Sequence, residues 1–180
     1  MSQDTVIHWF RQDLRLADNP ALLSASKRGR VVPVFILDED NPGKFAAGGA
    51  SRWWLSHSLA SLARSLGGHL SIYKGNPSDV LSDIAHRFQV SVIYWNRCYE
   101  PWRMHRDAAL KIHFKTQGID VQSHNGSLLW EPWSIRKDDG TPHRVFSSFY
   151  RKGCLKSDQP RAPLSQPEHA TYIGDSGSPH

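Results

Sequence analysis

The chain has 180 residues, 39% of them apolar and 22% charged, with seven Trp and a formal net charge of +5. That composition supports one domain of ordinary size plus an extension. No run is long and apolar enough to span a bilayer, Asp4 and His8 interrupt a secretory pattern, and Cys98 and Cys154 offer neither a disulfide framework nor a metal-ligand spacing, so the chain reads as a cytosolic protein with no membrane partner. The basic balance suits a phosphate-bearing partner, but Lys and Arg are spread along the chain, and charge alone leaves a merely basic domain as the simpler reading.

Thr5–Phe10 is short, apolar and β-prone, with His8 as its one polar position. Arg11–Asp18 is a charged loop, and Asn19-Pro20 starts a helix, since Asn caps and Pro suits the first helical position. That helix, Pro20–Arg28, ends at Gly29. Val31–Leu37 is nearly continuous in its apolar character, as a strand covered on both faces should be, with Pro33 restricted to its start or an unpaired side. After the polar loop Asp38–Gly49, Ser51 is placed to cap a helix carrying Leu55, Leu59, Leu62 and Leu66 at helical spacing, stopped by Gly67-Gly68. His69–Lys74 is the third strand, and Asn76-Pro77 repeats the helix-start signal before Val80, Leu81, Ile84 and Phe88. Ser91–Trp95, a helix from Trp102 to Gln117 closed by Gly118, and Ile119–Gln122 complete the pattern.

Five strands alternating with four helices through short connections predict an α/β fold: a Rossmann-like, doubly wound parallel five-stranded sheet with helices on both faces, followed by a linker. After Gln122 the rhythm breaks. Lys137–Gly140 is a turn signal, Val145–Leu155 suits a short helix, and the Pro, Ser and Gly of Ser157–His180 predict a stretch unable to order itself. The expected organisation is an α/β domain over 1–135 and the start of an interdomain linker, partly disordered, over 136–180.

Phosphate-cradling Gly-rich loops, nucleophile elbows and zinc spacings are absent from the sequence. Three loops at the carboxyl ends of strands carry charge instead: Arg11, Asp13 and Arg15; Asp38, Glu39 and Asp40; and Arg97 to Arg106, with Arg52 opening the helix after the second. In a doubly wound sheet such loops face one crevice. Trp9, Phe10, Trp53, Trp54, Trp95 and Trp102 lie beside them, and aromatic walls with a few charges suit a flat heteroaromatic ligand. Equally, the aromatics are core and the charges pair together. For Arg11, Asp13 and Arg15 that second reading, a local ion-pair network, is preferred to contact with DNA phosphates or a domain partner.

The segments Trp9-Phe10-Arg11-Gln12-Asp13-Leu14-Arg15-Leu16-Ala17-Asp18-Asn19, Phe35-Ile36-Leu37-Asp38, Gly48–Leu55, Tyr94-Trp95-Asn96 with Tyr99-Glu100-Pro101 and Arg106-Asp107, and Val145–Tyr150 resemble, in order, motifs of the DNA photolyase and cryptochrome family. Ser147-Ser148 depart from that family's Thr-Pro. The Gly48–Leu55 segment is most similar to bacterial deoxyribodipyrimidine photolyases. The resemblance implies an N-terminal domain that holds a light-harvesting antenna chromophore, while a separate helical C-terminal domain, absent from this chain, holds the catalytic FAD. On that reading residues 1–180 do not split a pyrimidine dimer alone and contain no catalytic residue. The partners implied are the chain's own C-terminal FAD-binding domain and, through the full-length protein, UV-damaged DNA. The alternatives are the same domain of a cryptochrome photoreceptor, or a stand-alone flavin- or nucleotide-binding α/β protein.

By the same resemblance, the antenna contacts map to strand-two backbone at Ile36, Leu37 and Asp38, to Arg52, and to Cys98, Glu100 and Arg106 after strand four. Relatives that hold a folate use an Asn-Glu pair where this chain has Trp102 and Arg103, which disfavours folate. Cys98 stands where deazaflavin-binding relatives have Asp, so FMN, FAD and 8-hydroxydeazaflavin all remain open, as does an empty pocket. Glu100 is read as orienting Arg52 or Arg106 rather than touching the ligand. Arg151, Lys152 and Lys156, unpaired in sequence, are the candidates for DNA phosphate contact.

Overall fold

A computed structural model describes residues 4–39, 41–43 and 46–175. Asp40, named above with the second loop, lies outside them. The elements run β1 (Asp4–Phe10), α1 (Pro20–Arg28), β2 (Gly29–Leu37), α2 (Gly49–Ser65), β3 (Ser71–Lys74), α3 (Pro77–Phe88), β4 (Val92–Asn96), α4 (Pro101–Thr116) and β5 (Asp120–His124). Every strand pair is parallel, and the order across the sheet is β3-β2-β1-β4-β5. The chain moves outward from β1 to β3, then jumps back to place β4 on the other side of β1. This is the expected doubly wound α/β fold, whose switch point lies between β1 and β4.

Both faces of the sheet are covered, which explains the unbroken apolar run of β2. Val32, Val34 and Ile36 join Leu81, Ile84, Leu110 and Phe114 of α3 and α4 on one side. Val31 and Phe35 join Leu22 and Ala25 of α1 and Leu59 and Leu62 of α2 on the other. Pro33 pairs opposite His8 of β1, and pairing of β2 with β3 begins only at Val34. The two-residue alternation that turns the Val31 N–H toward the β3 side turns the Pro33 nitrogen there too, before β3 begins, so its missing donor costs no ladder bond.

Local chemistry sets the element ends. Asn19 caps α1 by accepting from Leu22 N–H at 3.0 Å, and Asn76 caps α3 by accepting from Ser78 N–H at 2.9 Å. α2 begins two residues before Ser51, with Gly48 at the cap position and no side-chain cap bond. Gly29 has extended rather than left-handed backbone. It is needed for space: β2 starts there without an intervening loop, paired with Asp4, and a Cβ would collide with the Asp4 carbonyl.

The chain forms two compact units, one running to Gly126 and resuming at Leu164, the other Ser127–Pro163. The predicted disorder from Ser157 does not describe the return to the first unit. Thr171 accepts from Val31 N–H and Ile173 donates to the Val31 carbonyl, both at 2.9 Å, so Tyr172 bridges the half of β2 that β3 leaves free. A segment without a core of its own is ordered by an open sheet edge. In the second unit, Phe146–Ser148 form one helical turn that widens over Phe149–Gly153 and then tightens into a 3-10 turn at Cys154–Lys156. The predicted short helix is therefore present in irregular form. Among the described residues no helix is long and apolar enough to cross a membrane.

Candidate functional site

The carboxyl ends of β1 and β2 open into a cleft of about 1020 Å³, roofed by α2 and closed by the first turns of α4. The α2 positions toward it are 51, 54, 55, 57, 58, 61, 62 and 65, which, apart from His57, follow the i, i+3, i+4 pattern of one helical stripe. Four of those eight positions are Ser, and that leaves the space open. Trp54 is 69% exposed, and only Leu59 and Leu62 of α2 are buried. Trp9 and Trp102 supply the other aromatic walls.

The inner wall is an alternation of guanidinium and indole. The Arg11 guanidinium carbon lies 5.1 Å from the Trp9 ring centre, and that of Arg106 lies 4.8 Å from Trp9 and 5.2 Å from Trp102. Arg103 sits 4.8 Å from Trp102. Distances of this size are attractive because the cation meets the negative face of the ring. Asp107 holds two of these arginines: its Oδ2 is 2.6 Å from Arg11 Nη1 and its Oδ1 is 3.1 Å from Arg106 Nη2. Arg106 also reaches Asp38 at 3.2 Å, and Asp38 accepts from the Asn41 backbone and side chain. Arg11 spends one nitrogen on Asp107. Its Nε and Nη2, and Trp9 Nε1, are buried donors with no partner among the described residues. These donors are closed off from solvent behind the cleft surface, and Arg103, with its side chain 21% exposed, is the more accessible charged group on the wall.

Beneath the cleft, Asp13 accepts from Arg11 N–H at 3.0 Å and from Asn96 Nδ2 at 2.5 Å, and Asn96 also donates to Asn19 at 2.7 Å. Next to this network, burial pushes His8 down to about 4, against an opposing effect of Asp13. At the rim, Glu39 bridges Lys74 at 2.6 Å and Arg52 at 3.3 Å, and the Lys74 hydrogen bond holds its carboxyl below the ordinary range.

The DNA photolyase family profile matches residues 6–168. The chain belongs to the DNA photolyase family. Within this family it is 42% identical over 170 residues to the deoxyribodipyrimidine photo-lyase of Agrobacterium fabrum, a match covering 92% of this chain and 35% of the relative. It is 41% identical over 159 residues to cryptochrome-2 of Arabidopsis thaliana, covering 86% and 26%. The chain thus spans about a third or less of the length of these relatives. Among solved structures, a bacterial class III photolyase from Agrobacterium tumefaciens superposes with a TM-score of 0.87 at 37% identity over 99% of this chain and 37% of that one. An archaeal photolyase from Sulfolobus tokodaii, solved with two FAD molecules, gives 0.80 at 27% identity over 97% and 39%.

Seven residues carried over from the photolyase resemblance fall into two groups. Ile36, Leu37, Asp38 and Arg106 line the cleft. The Leu37 carbonyl is already taken by Gly75 N–H at 3.2 Å. Arg52, Cys98 and Glu100 are not among the lining residues. Arg52 turns to Glu39 and to the Ala47 carbonyl at 2.9 Å. Cys98 is buried behind the wall, where its sulfur takes an Arg103 N–H at 3.5 Å. Glu100 meets Gln12 at 3.3 Å and Arg103 at 3.7 Å, so it orients Arg103 and not Arg52 or Arg106.

The loop after β1 is a polar network as expected, local at Arg15, whose guanidinium lies 3.8 Å from the Asp18 carboxylate, but with long-range partners as well. Arg11 reaches 96 residues to Asp107, Asp13 binds Asn96, and Arg15 donates to the carbonyls of Asp18 and Gly126. Sequence reasoning missed the Ser stripe of α2, although its helical spacing was there to find, and the double grip of Asp107, which no local pattern signals. In the second unit Arg151, Lys152 and Lys156 are exposed and have no ion-pair partner among the described residues. Phe146, 76% exposed, stacks on Tyr150 at 5.9 Å beside them. No three His, Cys, Asp or Glu among the described residues are grouped to hold a metal ion.

Proposed function

We propose that this chain is the antenna domain of a light-driven DNA-repair photolyase and binds a flavin-class tricycle, FMN, FAD or 8-hydroxydeazaflavin, in the α2 cleft. The observation that supports this most is a Trp-lined space of ligand size at the carboxyl ends of β1 and β2, with the guanidiniums of Arg103 and Arg106 on its lining. When bound, the chromophore would absorb a photon and pass its excitation to the catalytic FAD of the C-terminal domain. No proton chemistry is asked of the protein.

The residues' work is positional. Trp9, Trp54 and Trp102 supply flat walls, and the Ser stripe of α2 leaves room for the ring. The backbone at Ile36 and Asp38 meets a polar ring edge. Arg106 is a fixed part of the wall, because Asp38 and Asp107 already hold it. Arg52 braces the rim through Glu39. Arg151, Lys152 and Lys156 are proposed to meet DNA phosphates in the full-length protein.

Titration of the chain with FMN, with 8-hydroxydeazaflavin and with a folate, followed by visible absorbance, tests the reading. Saturable binding of a tricycle is expected. Binding of none of the three would reject the site.

A further inference from the structure

The cleft proposed for a light-absorbing ring is walled by the side chain best able to destroy its excited state. An indole in van der Waals contact gives one electron to an excited flavin-class ring: the indole is oxidised to its radical cation and the ring is reduced by that electron. The electron then returns, both partners are restored, and the excitation is lost as heat. An antenna walled by Trp9, Trp54 and Trp102 needs a reason not to lose its light this way.

Two of the three indoles carry cations on their rings. Trp9 has Arg11 at 5.1 Å and Arg106 at 4.8 Å, and Trp102 has Arg103 at 4.8 Å and Arg106 at 5.2 Å. Such a charge stabilises the neutral ring's electrons and opposes a second positive charge forming beneath it. Both effects make the indole harder to oxidise. We propose that Arg11, Arg103 and Arg106 suppress electron-transfer quenching by Trp9 and Trp102, preserving the excitation of a ring bound between them. The inference rests on the antenna reading for its use, but the raised resistance of the indoles to oxidation belongs to the protein alone.

The guanidiniums are held for such a role. Asp107 and Asp38 fix Arg106, and Asp107 fixes Arg11. Arg103 is the least neutralised: Glu100 lies 3.7 Å away and is 44% exposed. Among the described residues no arginine stacks on Trp54, so the device is confined to the inner wall.

The test is the fluorescence lifetime of FMN bound at saturation to the chain, alongside its binding constant. Arg103→Gln is expected to shorten the lifetime about fivefold, the rate equivalent of a cation–π contact at a partly exposed site. Arg103→Lys keeps the charge and should stay near the parent. The double variant Arg103→Gln/Trp102→Phe should recover the parent lifetime, since the donor that lost its cation is gone and the contribution of Trp54 is the same in every variant. Equal lifetimes in the parent and Arg103→Gln would overturn the proposal. A second measurement needs no chromophore: oxidation of Trp102 by azide radicals, read by peptide mass spectrometry. It should be faster in Arg103→Gln than in both the parent and Arg103→Lys, and equal rates would again overturn the role. If FMN fails to bind the parent, the antenna reading fails while the oxidation rates still decide what Arg103 does to Trp102.

Discussion

Asp107 is one carboxylate between the buried guanidinium of Arg11 and the partly buried one of Arg106, and its loss is felt by both. The Arg11 side chain is 4% exposed, and its guanidinium has no other acidic partner among the described residues. Asp107→Ala is therefore expected to cost about 3 kcal/mol or more in urea unfolding, because it strands a charge in a dry site. Asp83→Ala, on the exposed face of α3, should change stability by less than about 0.5 kcal/mol. That contrast was not legible in the sequence, where alternating Arg and Asp after β1 suggest neighbours pairing with each other. The turn of that loop aims Arg11 across the sheet end instead, and only the fold supplies its partner. His8 gives a pH-dependent case. It is buried neutral, with a folded value of about 4 against 6.5 when free. Below 6.5 the unfolded chain takes up a proton that the folded chain refuses, so stability is full above pH 6.5 and falls as pH drops toward 4. The loss is up to roughly 3 kcal/mol. His124, lowered by burial and by Arg97, adds to the slope with the same sign. His8→Phe should flatten the dependence of unfolding free energy over that window, and an unchanged slope would remove His8 as its source.

Elements were far more legible than pairings. Each strand and helix of the sheet domain was marked by its own local chemistry: Asn-Pro starts, Gly stops, and an apolar run where both faces are covered. The two Asn-Pro starts nevertheless differ in weight. Asn76 caps α3 at an exposed end with a single bond to Ser78. Asn19 caps α1 while buried, and it also accepts from Asn96 and donates to the Arg15 carbonyl at 3.0 Å. Asn76→Ala should cost about 1 kcal/mol, and Asn19→Ala about 2 kcal/mol or more, since the second strands buried polar partners as well as a helix end. Equal costs in denaturant unfolding would show that the network under the cleft adds nothing to the cap. α2 was legible as a helix but not as a roof. Leu59 and Leu62 hold it to the sheet, and the Ser positions that keep it from closing down have no meaning until a cleft exists beneath them.

At the scale of the molecule, the unexpected feature is where the chain from Leu164 comes to rest. Low apolar content predicts a segment with no structure, and it has none that is self-made. What orders it is a vacancy in the sheet: β3 covers only Val34–Leu37 of β2, and residues 171–173 take the remaining edge at Val31. The attachment is sealed two residues later by Asp175. Its side chain is 4% exposed and lies 2.6 Å from Arg87 of α3, while the Tyr73 hydroxyl of β3 donates to it and its own N–H donates to Ser71 Oγ at 2.9 Å. Burial, and then the hydrogen bond to Asp175, push the Tyr73 hydroxyl up to about 12. One carboxylate thus ties the returning chain to both a strand and a helix. Asp175→Ala should cost about 2 kcal/mol, moderated because Arg87 keeps Asp83 and partial exposure to water. The loss should be local. Backbone amides of Ile72–Lys74 are expected to exchange faster with deuterium while those of β4 and β5 keep their protection, since no part of the clamp touches them. Tyr73 should also titrate lower in the variant, because an anion that opposed its ionisation is gone. Uniform acceleration across all five strands would mean instead that the returning segment is part of the global fold rather than a strap fastened to one edge of it.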